Sequence, residues 1–287
     1  LWSLRFDSAQ MAVWGINFRR TIRRNAEQSY WAPVPRQFNA TRLSLSGMLL
    51  GLESGARPRN FQLKPYVRGD VGQFPDGPLS NPFGEHRTET SGDIGGDVKW
   101  AITPNMALDV TVNTDFAQVE ADDVQINLTR FPLFFPEKRE FFLENAGLFE
   151  FGGGGRGIPQ VVGFFSRRIG LDRGREVPII AGARLTGKID RWNIGLVDMQ
   201  TNTVDEFGLP SENHGVARIR YDIGSRSSVG TLFTNRQASG SDYNRAFGFD
   251  GRWAINDATT IDGWWMGTRD PSIDGDSDWA GQLQVQY

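Results

Sequence analysis

The sequence predicts an all-β fold, an antiparallel transmembrane-type β-barrel, and three observations lead to it. From about Phe61 onward, candidate strands are joined alternately by very short turns and by long connections. Each candidate strand, about 9–11 residues long, alternates apolar and polar side chains, as strands between lipid and a polar lumen do. Tryptophans lie near both ends of these strands, where barrels carry aromatic girdles.

The connections sort into two classes along about ten predicted strands. The short turns are Thr103-Pro104-Asn105, Asp190-Arg191, Gly224 to Ser227 and Asn256-Asp257. The long connections are Asp70 to Ser91, Phe116 to Glu176, Thr201 to Asn213, Asn235 to Asn244 and Gly267 to Ser277. Outer-membrane barrels have tight periplasmic turns and long external loops, so this order favours a barrel over a soluble sandwich or propeller. The chain lacks an initiator methionine, and we expect it to be a fragment of a longer barrel protein.

Composition limits the classes of function. The 287 residues carry a net charge of −3 and no cysteine. There is no electrostatic case for a nucleic-acid partner, which would require a clustered basic surface. Without cysteine, disulfides, thiolate metal sites and a cysteine nucleophile are excluded. No segment has the roughly 20 consecutive apolar residues that a transmembrane helix needs.

The first 40 residues differ from the rest of the chain. Residues Ala12 to Arg24 alternate in the manner of one half-buried strand. Pro33 and Pro35 mark a linker after it. The predicted domains are therefore residues 1–40, a β module with its linker, and residues 41–287, the barrel; Arg42 to Leu52 is either one more strand before the barrel or its first.

Alternation assigns side chains to two faces in the later strands. The charged residues predicted to line the lumen are Arg184, Lys188, Arg218, Arg220, Asp222, Asp250 and Arg252. The apolar residues predicted to form an outward band are Leu108, Val110, Ile219, Phe247, Phe249 and Val285. The strand that begins at Trp192 is less regular, because Val197 and Met199 share a face with Asn193.

Six tryptophans define the predicted girdles. Trp100, Trp192 and Trp253 lie near short turns, whereas Trp264, Trp265 and Trp279 lie toward long connections. An indole ring combines an apolar body with a polar N–H and suits a membrane interface. The alternative is that these are core tryptophans of a sandwich.

The long insertion, residues 116–176, is predicted to be a plug or lid. Ten of the 20 phenylalanines lie between Phe116 and Phe165, so the segment must bury apolar surface. It also carries many charges, of which the candidate site residues are Asp115, Glu120, Asp122, Arg130, Glu137, Lys138, Arg139, Glu140, Glu144, Arg167 and Arg168. We expect Arg130, Glu137, Arg139 and Glu140 to pair with lumen residues. The alternative is an extracellular subdomain outside the barrel.

Several motifs resemble a known family. They are Phe116–Asp122 (FAQVEAD), Asn127–Phe131 (NLTRF), Phe135–Glu144 (FPEKREFFLE), Phe165–Gly170 (FSRRIG), Pro178–Lys188 (PIIAGARLTGK) and Trp192–Gly195 (WNIG). Together they resemble an uncharacterised bacterial envelope family whose domain of unknown function looks like an outer-membrane barrel and follows a family-nine-like carbohydrate-binding module. Trp14–Arg20 (WGINFRR) is similar to the last strand of that module. The family has no established mechanism, so the resemblance implies no catalytic residue.

Few residues point to catalysis or to a cofactor. The two histidines, His86 and His214, do not form a metal-binding cluster, and we expect no cofactor. Asp274, Asp276 and Asp278 resemble the start of a calcium loop, but the glycine and glutamate that an EF-hand needs are missing, so a solvated acidic loop is the default. Glu120 with Asp122 and Glu137 with Glu140 are carboxylate pairs of the kind glycoside hydrolysis uses, at separations the sequence does not define.

The function we expect is therefore that of an outer-membrane β-barrel protein of a Gram-negative-type bacterium, linked to binding or passage of a glycan or other envelope ligand. Its partners would be outer-membrane lipid and a carbohydrate, and the sequence does not define its oligomeric state. Two alternatives stay open: a surface polysaccharide hydrolase, and a structural barrel that anchors a carbohydrate-binding module. An enzyme needs two carboxylates poised in a cleft, a pore needs an open polar lumen, and an anchor needs neither.

Overall fold

The structure, a computed structural model, describes residues 14–22, 24, 27–33, 46–50, 61–75, 86–114, 137–152, 161–172, 175–205, 208–238, 240–256, 258–273, 275 and 277–286. The chain divides into two compact units, Leu1–Arg59 and Asn60–Tyr287. Each unit is described separately below.

The described residues of the first unit form four short strands, β1 (Trp14–Ile16), β2 (Arg19–Ile22), β3 (Glu27–Tyr30) and β4 (Gly47–Leu49). β1 pairs with β4, and β2 pairs with β3, both antiparallel. The single strand predicted over residues 12–24 is interrupted at Asn17, because the Asn17 side chain donates to the Ala32 carbonyl at 3.1 Å and accepts from the Ala32 amide at 2.9 Å. The pairing of β4 with β1 also places residues 47–49 in this unit, which extends to Arg59. The domain bounds 1–40 and 41–287 stay a prediction.

The second unit is built on one antiparallel sheet of ten strands, which confirms the all-β prediction. The strands are β5 (Phe61–Pro75), β6 (His86–Thr103), β7 (Met106–Val112), β10 (Ile179–Ile189), β11 (Trp192–Thr201), β12 (Asn213–Ile223), β13 (Ser227–Gln237), β14 (Tyr243–Ala254), β15 (Thr260–Arg269) and β16 (Ser277–Gln286). Each strand pairs with its neighbours in chain order, and β7 pairs directly with β10 across the insertion. Within the described residues, β5 and β16 are edge strands that do not pair with each other.

Short and long connections alternate from β5 to β13 as the sequence predicts, but not beyond: the connection after β13, predicted to be long, and the one after β14, predicted to be short, both have five residues, 238–242 and 255–259. Two-residue turns follow β6 and β10, at Pro104-Asn105 and Asp190-Arg191. The first hairpin differs from the prediction. β5 and β6 stay paired through Asp70↔Ser91 to Pro75↔His86, within the segment that was assigned to a loop. These two strands are 15 and 18 residues long, and so exceed the predicted length.

The two faces of the sheet have opposite character. One face, here called the open face, presents apolar side chains to the surroundings, including Trp192, Ile219, Phe247, Phe249 and Leu283. The other face, here called the covered face, packs against the insertion and contains buried charges. Arg184 and Arg218 on the covered face are each only 1% exposed. This distribution is the reverse of a water-soluble sheet, which buries its apolar face and solvates its polar one.

The described part of the insertion consists of short elements. They are helix α1 (Glu140–Leu143), 3-10 turns at Ala146–Phe149 and Ser166–Arg168, and a small hairpin of β8 (Leu171–Asp172) and β9 (Arg175–Glu176). Phe142, Phe149, Phe151 and Ile169 are buried in one cluster with apolar residues of the covered face. The described residues contain no helix that is long and apolar enough to cross a membrane.

Five tryptophans of the predicted girdles lie on the open face, where Trp100, Trp192, Trp253, Trp265 and Trp279 are between 43% and 70% exposed. Trp264 differs. It packs against the buried cluster, with its ring 6.3 Å from that of Phe151, and its indole donates to Gln282 at 3.1 Å. As neighbours in one strand, Trp264 and Trp265 point to opposite faces, and Trp265 lies in the middle of β15, opposite Phe249.

Candidate functional site: the insertion on the covered face

Two glycines of the sheet, Gly195 and Gly248, leave room for phenylalanine rings of the insertion and are here called the glycine seats. A Cβ at Gly195 would lie 2.9 Å from ring atoms of Phe149, and a Cβ at Gly248 would lie 2.6 Å from the ring of Phe151. Both distances are shorter than a side chain tolerates, so only glycine lets the two rings reach the backbone of the sheet. The insertion is therefore fitted to this face by shape.

The irregular pattern of β11 has its explanation here. Val197 and Met199 lie on the covered face and belong to the buried cluster with Phe142 and Phe149. Leu232 of β13 belongs to the same cluster and is fully buried. The covered face thus has apolar residues in place of polar ones where it contacts the phenylalanine rings, because burying those rings favours apolar neighbours.

Arg218 of β12 and Asp250 of β14 form a buried ion pair that crosses the intervening strand β13. Two parallel hydrogen bonds join them, Nη1 to Oδ1 at 2.6 Å and Nη2 to Oδ2 at 2.7 Å. The insertion closes over this pair: the Gly152 amide donates to Asp250 Oδ2 at 3.2 Å, and the Arg218 guanidinium lies 5.6 Å from the centre of the Phe151 ring. Bidentate geometry and extra hydrogen bonds are what a buried ion pair needs to offset its desolvation.

A second series of ion pairs connects the sheet to the residue that follows helix α1. Arg184 donates to Asp109 at 3.2 Å, Lys99 lies 3.7 Å from Asp109, and Lys99 also pairs with Glu144 just after the helix. The Arg184 guanidinium lies 5.4 Å from the ring centre of Phe141. Strands β6, β7 and β10 thus hold one end of the insertion through alternating positive and negative groups.

Arg139 connects two parts of the insertion through contacts with Glu137, Ser166 and Ile169, here called the Arg139 clamp. Its guanidinium donates to Glu137 at 2.8 and 2.9 Å, to the Ile169 carbonyl at 2.6 Å and to the Ser166 carbonyl at 2.8 Å. Ser166 also donates from its hydroxyl to Glu137 at 2.7 Å. Burial acts to raise the pKa of the Glu137 carboxyl, but the hydrogen bonds from Arg139 and Ser166 and the charge of Arg139 outweigh it, so the pKa lies below its usual value. Glu137 and Arg139 therefore pair with each other.

A cleft of about 60 Å³ opens between helix α1 and strands β5 to β7. Its lining includes the side chains of Lys64, Lys99, Glu140, Phe141 and Glu144. Lys64 and Glu140 meet across it at 3.1 Å, and both are largely exposed. The cleft therefore offers hydrogen-bonding groups of both charges beside one aromatic ring.

The other residues predicted to line the lumen also lie on the covered face, nearer the short turns. Lys188 and Asn193 donate to Asp222 at 2.6 and 2.9 Å, and Arg220 lies 3.6 Å from Asp222. Arg252 donates to Asp262, a residue the sequence prediction did not include, at 2.6 Å. All seven predicted residues thus share a face, and each has an oppositely charged partner there.

The other predicted residues of the insertion differ in exposure, and four of them are not described. Asp115, Glu120, Asp122 and Arg130 lie outside the described residues. Arg167 is buried, which lowers the pKa of its guanidinium, whereas Arg168 and Glu140 are exposed. Lys138 is half-buried, and its backbone amide donates to Glu137 at 3.0 Å.

Metal and carboxylate chemistry have little support among the described residues. They contain no group of three or more histidine, aspartate or glutamate side chains arranged to hold a metal ion. Asp274 and Asp276 of the suggested calcium loop lie outside them, and Asp278 lies in β16. In the predicted carboxylate pair, Glu137 forms an ion pair with Arg139 and Glu140 forms one with Lys64.

Sequence reasoning missed partners of the site. Asp109, Lys99 and Asp262 complete ion pairs, yet only the register between strands shows which charges meet. Gly195 and Gly248 were also missed. Glycine is common in this chain, with 34 residues, so composition gives no signal that two of them are seats.

Comparison with known proteins gives one similarity. Residues 58–181 match a protein family described as a domain of unknown function, DUF5916. The matched region runs from β5 through the insertion to the start of β10. No curated protein and no solved structure matches the chain. The chain thus contains a region similar to an uncharacterised domain family, and that region includes Arg139 with its partners and every residue that lines the cleft except Arg184.

Replacing Gly195 with alanine should loosen the insertion. The added methyl group would collide with the Phe149 ring and cost about 1–3 kcal/mol, as overpacking does. We expect faster hydrogen–deuterium exchange in residues 146–152 while the strands keep their protection. Gly251→Ala is the matched control, because a Cβ there would meet its nearest neighbour, the Ser228 carbonyl, at an ordinary 3.5 Å. Equal exchange in the two variants would contradict the seat.

Acid should release the Arg139 clamp. Because the folded pKa of Glu137 lies below its usual value, its carboxylate stabilises the docked insertion above the ordinary glutamate range, about 4.3. That stabilisation is lost as pH falls through the folded pKa. We expect exchange in residues 137–152 to rise in this acidic window, and Glu137→Gln to show raised exchange at neutral pH with a flatter pH profile. Glu150→Gln, at an exposed position, should behave like the original protein; a profile unchanged in Glu137→Gln would argue against the clamp.

Proposed function

We propose that this protein is an outer-membrane β-barrel protein whose insertion fills the lumen as a lid, and which binds or passes a glycan or other polar envelope ligand. The observation that carries the proposal is the polarity of the ten-stranded sheet. Its open face is apolar, with exposed Phe247, Phe249 and Leu283, while its charged face is covered. A membrane-embedded barrel has this polarity, with lipid outside and polar groups inside.

The open face is also continuous. Along the described strands, its apolar side chains run from Phe61 and Leu63 in β5 to Leu283 and Val285 in β16. A water-soluble protein rarely exposes an apolar patch of more than a few hundred Å² unless another surface covers it. Exposed tryptophans at both ends of the strands agree with girdles at two membrane interfaces.

The lid assignment is supported by how the insertion is attached. Glycine seats and the buried Arg218–Asp250 pair fix its middle, whereas its α1 end is joined to the sheet by the partly exposed pairs of Lys64 and Lys99. The cleft beside α1 supplies charged groups and the Phe141 ring. Polar groups that converge beside an aromatic surface suit a small hydroxyl-rich ligand.

The membrane assignment can be tested at Phe249, which lies near the middle of β14 and is 52% exposed. Phe249→Arg should cost roughly 2–4 kcal/mol if this face meets lipid at mid-depth, and it should reduce assembly into the outer membrane. Leu143→Arg is the control, since Leu143 is 50% exposed but lies in the insertion. The measurement is the heat-modifiable folded fraction in isolated membranes. Equal folding of the two variants would indicate that water, not lipid, contacts the open face.

The lid assignment has a separate test. Deleting residues 127–155 should raise single-channel conductance in planar bilayers, because it removes the groups that cover the charged face. Glu140→Gln, which removes only the exposed pair with Lys64, should leave conductance near that of the original protein. A deletion variant that assembles without added conductance would refute the lid and leave the membrane assignment standing.

A further inference from the structure

Two arginines interrupt the apolar open face at one end. Among the described strand positions on that face, Arg245 of β14 and Arg269 of β15 are the only cations, and Asp198 of β11 is the only carboxylate. Both arginines are exposed: Arg245 lies near the start of β14, after the connection 238–242, and Arg269 is the last residue of β15, before the connection 270–276.

The two arginines are direct neighbours. Arg245 and Arg269 are cross-strand partners in the β14–β15 pairing. Like charges that face each other across two strands are destabilising, so this arrangement costs free energy unless an anion joins it. On the covered face, by contrast, arginines such as Arg184 and Arg218 each pair with an aspartate.

Their existing contacts orient them without neutralising them. Arg245 donates to Asn235 at 3.0 Å and to Gln237 at 3.1 Å, and its guanidinium lies 4.3 Å from the ring centre of Tyr243. All of these groups are uncharged. Arg269 makes no side-chain hydrogen bond or ion pair with the described part of the chain. The nearest carboxylate in sequence, Asp270, instead accepts from Asn244 at 3.0 Å and from Ser272.

The pair lies at the edge of the apolar surface. From Arg245 toward the middle of β14, the next open-face residue is Phe247, which is 42% exposed. Trp265 on β15 and Trp279 on β16 are also exposed on this side. Two cations beside exposed aromatic rings form a boundary between a charged and an apolar environment.

We propose that Arg245 and Arg269 bind the phosphate group of a membrane lipid headgroup, with Phe247, Trp265 and Trp279 contacting its acyl chain. This inference rests on the proposed membrane function and adds a specific lipid site to it. Guanidinium groups bind phosphate through two parallel hydrogen bonds, and a single phosphate between them would remove the repulsion of the pair. Tryptophan rings at headgroup level are the usual neighbours of such a group in a membrane.

The test measures lipid retention by the full chain purified in detergent, using native mass spectrometry with phosphatidylglycerol and, separately, phosphatidylcholine. We expect the original protein to prefer phosphatidylglycerol, and the double variant Arg245→Gln/Arg269→Gln to bind it roughly tenfold more weakly, since hydrogen bonds between charged groups are lost. Arg191→Gln is the matched control: it removes the same charge at an exposed turn at the opposite end of the strands, and should leave affinity unchanged. Arg245→Lys/Arg269→Lys keeps both charges and should retain more binding than the glutamine variant.

Two results would overturn the site. One is equal affinity of the double glutamine variant and the original protein for phosphatidylglycerol. The other is displacement of the lipid by inorganic phosphate alone at similar concentrations, which would mean that the arginines bind free phosphate and that the acyl chain contributes nothing. Failure of the proposed function would look different, because the original protein would then not assemble into membranes at all.

Discussion

The covered face carries ionised groups that are buried from water, and the rest of the second unit depends on keeping them paired and covered. Arg184 and Arg218 are each only 1% exposed, and both are held by aspartates across strands. Removing one member of a buried pair typically costs about 3–5 kcal/mol, because the other charge is left without compensation. The register of the sheet and the position of the insertion are therefore linked: a one-residue slip would turn these side chains to the opposite face.

The insertion supplies aromatic rings that cover buried arginines. Three of its phenylalanines lie beside arginines, Phe141 near Arg184, Phe151 near Arg218, and Phe142 4.4 Å from Arg139. An aromatic face attracts a guanidinium and also excludes water from it. The high phenylalanine content of this segment thus has a physical role beyond filling space, because the same rings bury apolar area and cover charges.

Much of the fold follows from patterns in the sequence, and the limits are equally physical. A period of two assigns side chains such as Arg218 and Asp250 to one face, but their contact depends on the register through β13, which alternation does not define. The length of β5 and β6 was underestimated, because polar and small residues in the hairpin pair without an apolar signal. The break at Asn17 depends on Ala32, 15 residues away, so no local pattern could reveal it.

The attachments of the insertion differ in strength, and this difference would give the proposed lid a direction of opening. Its middle is fixed by glycine seats and by an ion pair buried with the Gly152 amide, all of which must be lost together. At the cleft, Lys64 and Glu140 are 47% and 82% exposed, and solvent-exposed ion pairs contribute at most about 1 kcal/mol. The Lys64–Glu140 pair is therefore the weakest of these contacts between the insertion and the sheet. Movement of the insertion would begin there, and a ligand entering the cleft would compete with that ion pair before it met the buried network.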